Sequence, residues 1–396
     1  MVGFRNKAKF YVQATSTMAG MTTTYDVCIR GNGIVGSTLA LLLARQRLRI
    51  ALVGAPTQAF DMRAFALNSS SQDLLTDLRC WPNAECATPV IGMQIWGDQA
   101  GKLTFDAPFG ECLNHIVDVQ ALEGLLHEAV GFQHSIERME NNVSAPLTIV
   151  CEGKNSLTRQ ELGIDFQALP YPQHALATRV RCASPHQQRA LQWFTHEKTE
   201  LSVLALLPLG GANSHEAAVV WSLPSERAIA LHAATDVELS LALTNASQYA
   251  LGDLQVSSAK GIWPLQAAHA SQWSGTFENG NSWVLAGDAA HTVHPLAGMG
   301  LNLGLADAAA LAKVLSLREG KEYWRGVGDK FLLRRYERER KAGLLPTWLA
   351  CDGLQRLFSH PHTLAQSLRN WGMSQFDQLS HLKQWTVQQA MHPTIS

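Results

Sequence analysis

The chain has 396 residues, of which 46% are hydrophobic and 16% charged, and its formal net charge is -1. This length allows one large or two medium domains, and the balanced charge excludes the basic surface that a nucleic-acid partner requires. Seven cysteines without a Cys-x-x-Cys pair argue against a zinc site and a disulfide framework, and they indicate a reducing compartment. Since no run reaches the roughly 18 apolar residues of a membrane span, we expect a cytoplasmic protein that is at most peripheral to a membrane.

The first 23 residues carry three basic side chains, several Ser and Thr residues and no acid. This composition is typical either of a transit peptide or of an extension upstream of an internal start at Met18 or Met21. The extension is the favoured interpretation.

A βαβ unit follows the extension. Apolar residues 25–29 predict a strand, residues 49–54 predict a second one, and helix-forming residues lie between them. Gly31, Gly33 and Gly36 stand in Gly-x-Gly-x-x-Gly register after the first strand. Such a turn lets a backbone approach a pyrophosphate at a helix N-terminus, so the unit predicts dinucleotide binding.

The second strand lacks one expected feature. About twenty residues after the turn, where an acid normally binds the ribose of the adenosine, the sequence has Gly54. The ribose contact is therefore expected either from another group, such as a backbone group or a water, or to be weaker.

The second half of the chain changes character. Residues 173–272 alternate between apolar and polar positions and predict an antiparallel sheet that roofs a site. Residues 301–317 and 331–343 predict helices, as does the amphipathic tail. Packing of the tail against the body is favoured over binding to a membrane surface.

The stretch from Gly287 joins a strand, residues 283–286, to a helix, and it carries an acid and two histidines. Asp288 is predicted at the carboxyl end of that strand, where ligands of open α/β sheets collect. The segment 298–302 is predicted to begin a helix whose glycines let a flat ring approach the backbone, with Pro295 as a rigid wall.

The histidines of this stretch have two interpretations. His291 and His294 could act as metal ligands or as acid/base groups, but without a nearby set of partners structural hydrogen bonding is favoured. Asp307, inside the following helix, is predicted to cap it or to pair locally.

Four motifs together carry a family resemblance. They are the glycine-rich turn, residues 61–68, residues 151–159 and the stretch from Gly287 to Asp307. In this order they resemble the class A FAD-dependent aromatic hydroxylases, and within that class the ring hydroxylases of ubiquinone biosynthesis. The resemblance extends from Tyr25 to the C-terminus.

The resemblance implies an α/β fold: a Rossmann-type FAD-binding domain, like those of glutathione reductase and para-hydroxybenzoate hydroxylase, with an inserted antiparallel β-sheet substrate domain and a C-terminal helical region. The implied divisions are the extension 1–23, FAD-binding parts 24–75, 110–165 and 275–345, substrate-domain parts 76–109 and 166–274, and the helical region 346–396.

The resemblance also implies the site. Arg63 and Pro295 are the catalytic candidates, and Gln120 stands where the family often has Arg or Gln touching FAD. For Arg63 the alternative is an ordinary surface ion pair. The cofactor-binding candidates are Gly31, Gly33, Ile34, Val35, Gly36, Arg63, Gln120, Asp288, Pro295, Gly298, Met299, Gly300, Leu301 and Asn302, and no metal ligand is expected.

The implied activity is hydroxylation of a polyprenylated phenol or quinol by FAD, with NAD(P)H and O₂ as co-substrates, through a flavin C4a-hydroperoxide. The partners it implies are an apolar aromatic substrate, a multi-enzyme ubiquinone-biosynthesis complex and further copies of the chain in an oligomer. Two alternatives stay open. One is another flavoenzyme of the same fold, although the Trp-x-Trp-x-Ile-Pro segment of halogenases is absent. The other is a non-catalytic assembly member that binds FAD weakly.

Two departures from the family pattern motivate the second alternative, together with Gly54. The middle motif has Glu152 where the family has Asp, so the carboxylate stands on a side chain one methylene longer. In addition, residues 126–148 are too few for the β-hairpin that the family usually carries there.

Overall fold

The computed structural model describes residues 24–54, 61–97, 101–197, 200–293, 300–319 and 325–359. The predicted extension 1–23 and most of the predicted helical tail lie outside this part of the chain. Within it, no helix is long and apolar enough to cross a membrane.

The described part of the chain forms both helices and strands. The helices are α1 (Ile34–Ala44), α2 (Ser69–Asp77), α3 (Val119–Gly131), α4 (Leu157–Glu161), α5 (Ser225–Ala233), α6 (Asp236–Ala246), α7 (Gly300–Ser316) and α8 (Lys330–Ser359). The strands are β1 (Val27–Arg30), β2 (Ile50–Val53), β3 (Ala64–Leu67), β4 (Ala87–Val90), β5 (Gly92–Trp96), β6 (Lys102–Asp106), β7 (Asn114–Asp118), β8 (Ile136–Met139), β9 (Leu147–Val150), β10 (Phe166–Cys182), β11 (Arg189–Glu197), β12 (Glu200–Leu209), β13 (Glu216–Pro224), β14 (Leu254–Val256), β15 (Gly261–Ala270), β16 (Ser274–Thr276), β17 (Ser282–Leu285) and β18 (His291–Thr292).

A six-stranded sheet, in the order β16-β17-β9-β1-β2-β8, forms the base of the molecule. All neighbouring strands except β16 and β17 pair in parallel. The predicted βαβ unit is confirmed, and its helix begins at Ile34. Because β1, β9 and β17 run in parallel, their carboxyl ends lie at one edge of the sheet.

These short strands are nearly all apolar because they lie in the core of the molecule. Burial on both faces favours continuous runs of apolar residues over alternation, and β2, β9 and β17 are buried throughout. Helices α1, α3 and α7 pack together with the sheet in one cluster that includes Leu39, Leu126 and Leu311.

The predicted antiparallel sheet is present and larger than expected. It begins at Phe166, includes β5 and β6 from the first part of the chain, and contains one parallel pair, β11 with β5. The structure also places α5 and α6 inside the stretch 173–272, which the alternation pattern describes only as a sheet. A capping box at Thr235 and Glu238 starts α6, and this sequence signal could have predicted the helix.

The expected shortness of residues 126–148 is confirmed. Between α3 and β9 the chain forms only the strand β8, which pairs in parallel with β2 at the outer edge of the sheet. The structure describes every residue between α3 and β9, and no hairpin forms among them.

Candidate cofactor-binding and active site

The glycine-rich turn after β1 is shaped by close backbone packing. Gly31 has φ +107°, and a Cβ there would lie 2.3 Å from the carbonyl oxygen of Cys151. A Cβ at Gly36 would lie 1.9 Å from the carbonyl oxygen of Gly31, whereas one at Gly33 would meet nothing within 4 Å. Gly31 and Gly36 are therefore required by packing, and the space in front of Gly33 lets a ligand approach the backbone.

Helix α1 begins beside that space without a side-chain cap. Its N-cap is Gly33, and its first turn contains no acid. The N–H groups that begin a helix have no intrahelical partner, so this terminus suits an anion such as a pyrophosphate. The side chain of Val35 packs towards Gly287 and Gly304.

Asp288 lies between the two large sheets. It follows β17 of the parallel sheet in a short 3₁₀ turn, Gly287–Ala289, and the chain then joins the antiparallel sheet as β18. Its side chain reaches solvent, yet desolvation by the surrounding protein raises the pKa of its carboxyl, against the effects of His291 and Arg63. A solvated carboxylate at the carboxyl end of a parallel strand can accept hydrogen bonds from sugar or ribityl hydroxyls.

A buried network holds the turn that carries Asp288. The fully buried carboxylate of Asp307 accepts a hydrogen bond of 2.9 Å from the backbone N–H of Gly287, contacts His291 Nε2 at 2.7 Å and accepts from Arg340 Nε at 2.6 Å. Burial by itself raises the pKa of Asp307, but His291 and Arg340 outweigh it and lower that pKa. The indole of Trp273 stacks on His291 with 5.1 Å between the ring centroids.

This network settles two predictions. The structural hydrogen bond predicted for His291 is confirmed, while His294 lies outside the described residues. The local pairing predicted for Asp307 is wrong, because its partners come from β17's turn, from β18 and from α8. A buried carboxylate needs several donors, and its own helix cannot supply them.

Arg63 forms an ion pair with Asp61, as the alternative interpretation of Arg63 as an ordinary surface residue expects. Its guanidinium donates to Asp61 with Nη2 to Oδ2 at 2.5 Å, and this hydrogen bond raises the pKa of Arg63. Arg63 is also close enough to Asp288 and Glu123 for their charges to raise its pKa further. The structure thus places a cation, two acids and Asp288 in one neighbourhood at the sheet edge.

Gln120 stands beside this group on an exposed position in the first turn of α3. The backbone N–H of Val119 donates to the carbonyl oxygen of Arg63 at 3.3 Å, which joins the start of α3 to the Arg63 segment. Asp118 caps α3 and pairs with Arg179 of β10 at 2.7 Å. Through this ion pair the antiparallel sheet is attached to the segment that carries Arg63.

The predicted ring-binding segment is described only in part. Pro295, Gly298 and Met299 lie outside the described residues, while Gly300, Leu301 and Asn302 form the first turn of α7. The carboxamide of Asn302 makes three hydrogen bonds. It donates to the Ala66 carbonyl at 2.7 Å, and it accepts from Asn68 N at 3.0 Å and from Ser71 Oγ at 2.8 Å. Asn302 therefore anchors α7 to the β3–α2 segment: its carbonyl oxygen accepts two hydrogen bonds, and one N–H of its amide donates a third.

Glu152, the departure in the middle motif, has a clear structural role. Its carboxylate accepts from Ser156 Oγ at 2.6 Å and from the Thr158 hydroxyl and N–H at 2.7 and 2.9 Å, which satisfies the start of α4. Arg159, which follows Thr158, is buried and donates to the carbonyl of Ala289 at 2.9 Å. The structure thus accommodates the longer acid, and the same motif contacts the Asp288 turn through Arg159.

Sequence reasoning missed three of these residues. Arg340 and Arg159 are separated from Asp288 by 52 and 129 positions in the chain, so no local pattern connects them to its turn. Glu123 lies on α3 one helical turn after Gln120, and that spacing could have signalled that both share a face.

The glycine turn, the uncapped α1 terminus and Asp288 together fit a flavin dinucleotide. The family model for the FAD binding domain matches residues 115–344, more than half of the sequence. The chain belongs to the FAD binding domain family.

Individual relatives are similar over nearly the whole chain. The mitochondrial ubiquinone biosynthesis monooxygenase COQ6 of Drosophila melanogaster is 28% identical, over 95% of this chain and 91% of the relative. The 3-demethoxyubiquinol 3-hydroxylase of Escherichia coli strain K12 is 27% identical, over 92% of this chain and 98% of the relative. The crystal structure of p-nitrophenol 4-monooxygenase PnpA from Pseudomonas putida DLL-E4 has the same fold, with a TM-score of 0.70 at 16% identity over 92% of this chain and 96% of PnpA.

Proposed function

We propose that this protein is an FAD-dependent monooxygenase that hydroxylates the aromatic ring of a polyprenylated phenol or quinol in ubiquinone biosynthesis, with NAD(P)H and O₂ as co-substrates. One observation carries the proposal: in a member of the FAD binding domain family, a buried network holds Asp288 at the same sheet edge as the glycine-rich turn. Two of the relatives, named a ubiquinone biosynthesis monooxygenase and a 3-demethoxyubiquinol 3-hydroxylase, support the substrate class.

The residues would divide the work as follows. The backbone of Gly33 and the first N–H groups of α1 hold the pyrophosphate, and Asp288 binds the ribityl chain. Pro295, with Gly298 to Leu301 and the backbone of Asn302, flanks the flavin ring, and Arg63 with Gln120 lies at its side. When bound, FAD supplies the electron transfer from NAD(P)H and the activation of O₂, which side chains of these types cannot provide.

The protein's own contribution is positioning and exclusion of water. Arg63 is a cation that donates to Asp61, and in this proposal it would stabilise negative charge that develops near the ring. The antiparallel sheet, fixed to the Arg63 segment by the ion pair of Arg179 with Asp118, forms the roof under which an aromatic substrate is held. Burial of the prenyl tail would supply about 25 cal/mol per Å² of apolar surface removed from water.

The proposal extends to partners and place. A polyprenylated substrate partitions into a bilayer, so a peripheral position at the inner membrane, within a complex of quinone-biosynthesis enzymes, would shorten the transfer of substrate. Oligomerisation belongs to the same proposal. The division of the chain into three FAD-binding parts and two substrate-domain parts is proposed as well, and it agrees with the pairing of β5 and β6 to the antiparallel sheet.

The experiment uses the purified full-length protein loaded with FAD. A short-chain polyprenylated phenol should stimulate NAD(P)H oxidation, and isotopically labelled O₂ should place one labelled oxygen atom in the product. Asp288→Asn should lose this activity, while Asp77→Asn, at an exposed ion pair, should keep it. Bound FAD without labelled product would favour another flavoenzyme activity, and failure to bind FAD would favour the assembly member.

A further inference from the structure

A side chain of the glycine-rich turn, that of Asn32, lies against the residue that follows β2. Gly54 follows β2 with φ +148°, a conformation that disfavours any side chain. A Cβ there would lie 2.9 Å from Asn32 Oδ1 and 3.0 Å from Asn32 Cγ. The carboxamide of Asn32, the middle residue of the Gly-x-Gly turn, therefore lies against the position from which an acid would project.

Three contacts hold Asn32 in this place. Its Nδ2 donates to the carbonyl oxygen of Gly54 at 3.0 Å, and its backbone carbonyl accepts from Ser37 Oγ at 2.9 Å. The backbone N–H of Gly31 donates to Val53 O at 2.8 Å, which ties the turn to the end of β2. An acid at position 54 and Asn32 in its present position exclude each other, so the end of β2 has an exchange of one group for the other: the carboxamide of Asn32 lies where an acid at position 54 would project.

The chemistry of the exchange points to a ligand contact. In Rossmann-type units the acid after the second strand accepts hydrogen bonds from the adenosine ribose. An amide has both a carbonyl acceptor and two N–H donors, so it can bind the same hydroxyls without a charge. The sequence from Arg49 to Phe60 contains no acid that could take this role.

We propose that the side chain of Asn32 binds the ribose of the adenosine half of FAD, in place of an acid at the end of β2. This proposal rests on the proposed function, because it presumes that FAD is the ligand. The contact is a neutral hydrogen bond, so its loss should weaken binding about 5- to 15-fold, less than the loss of a charge-assisted one.

The test is a titration of the FAD-free protein, followed by flavin fluorescence, with FAD and with analogues made from 2′-deoxyadenosine and 3′-deoxyadenosine. The wild-type protein should bind at least one analogue about 5- to 15-fold more weakly than FAD. Asn32→Ala should bind FAD as weakly as the wild type binds that analogue, and it should no longer distinguish the two ligands. Ser37→Ala, which loses a contact to the backbone of the turn only, should still distinguish them.

A coupled pair of variants checks the exchange. Gly54→Glu alone should bind FAD more weakly than wild type, because its side chain meets Asn32 and is strained at φ +148°. The double variant Asn32→Gly with Gly54→Glu should bind FAD more tightly than Gly54→Glu alone and recover discrimination, but it keeps the backbone strain and should stay weaker than wild type. If Asn32→Ala weakens FAD and both analogues equally, Asn32 only shapes the turn and the proposal is wrong. A wild type that binds FAD without discriminating also overturns it, with the FAD proposal intact. A wild type that binds no flavin overturns both.

Discussion

Replacing Asp307 with Asn tests whether the buried network holds the Asp288 turn. The carboxylate is fully buried and contacts three donors, from Gly287, His291 and Arg340, at 2.6 to 2.9 Å. An amide keeps the shape but removes the charge and replaces one acceptor with a donor. Breaking a buried pair in this way typically costs about 3–5 kcal/mol, because the remaining charge stays buried without compensation.

The assay is urea unfolding of the FAD-free protein, with Asp77→Asn as the control. Asp77 pairs with Arg45 at the surface, where both side chains are about half exposed or more, so this change should cost less than about 1 kcal/mol. The Asp307 variant should also release FAD more readily, because the Gly287 N–H loses its acceptor. If both variants lose the same stability, the network does not hold the turn and the reasoning is refuted.

The remaining predictions concern charge and the glycine turn. The pKa of Asp307 is lowered in the folded protein. The ionised carboxylate therefore contributes stability above the ordinary pKa of about 3.9, and this contribution is lost as pH falls through the pKa of the folded state. The difference in unfolding free energy between wild type and Asp307→Asn should thus narrow below about pH 4. The pKa of Asp288 is raised by desolvation from the surrounding protein, although its side chain reaches solvent, so its charge opposes folding at neutral pH. Asp288→Asn should therefore be at least as heat-stable as wild type without FAD, while retaining little flavin absorbance after gel filtration. Gly33→Ala should fold, since its methyl group meets nothing within 4 Å, yet bind FAD more weakly in a fluorescence titration, whereas Gly36→Ala should fail to yield soluble protein because its Cβ would lie 1.9 Å from Gly31 O. Equal solubility of the two alanine variants would contradict the packing argument.

Local patterns were sufficient for the features that depend on neighbouring residues. The order of the apolar strands and the spacing of Gly31, Gly33 and Gly36 predicted the βαβ unit, because a tight turn constrains only the residues within it. The position of Asp288 at the end of β17 was likewise readable, since it requires only the end of one apolar run.

The alternation pattern was less informative about the antiparallel sheet. It predicted strands but neither α5 and α6 nor the parallel pairing of β11 with β5. That pairing joins residues about one hundred positions apart, and strand partners so distant leave no periodic signal in either segment.

The sequence by itself determined the βαβ unit, the glycine turn and the place of Asp288 at a strand end, because each depends on side chains close together in the chain. Only the tertiary structure decided what holds them. Asp307 binds Arg340 from another helix, and Asn32 lies against Gly54 from the preceding turn. Burial makes such contacts obligatory, since a carboxylate or amide removed from water must find donors wherever the packed chain provides them.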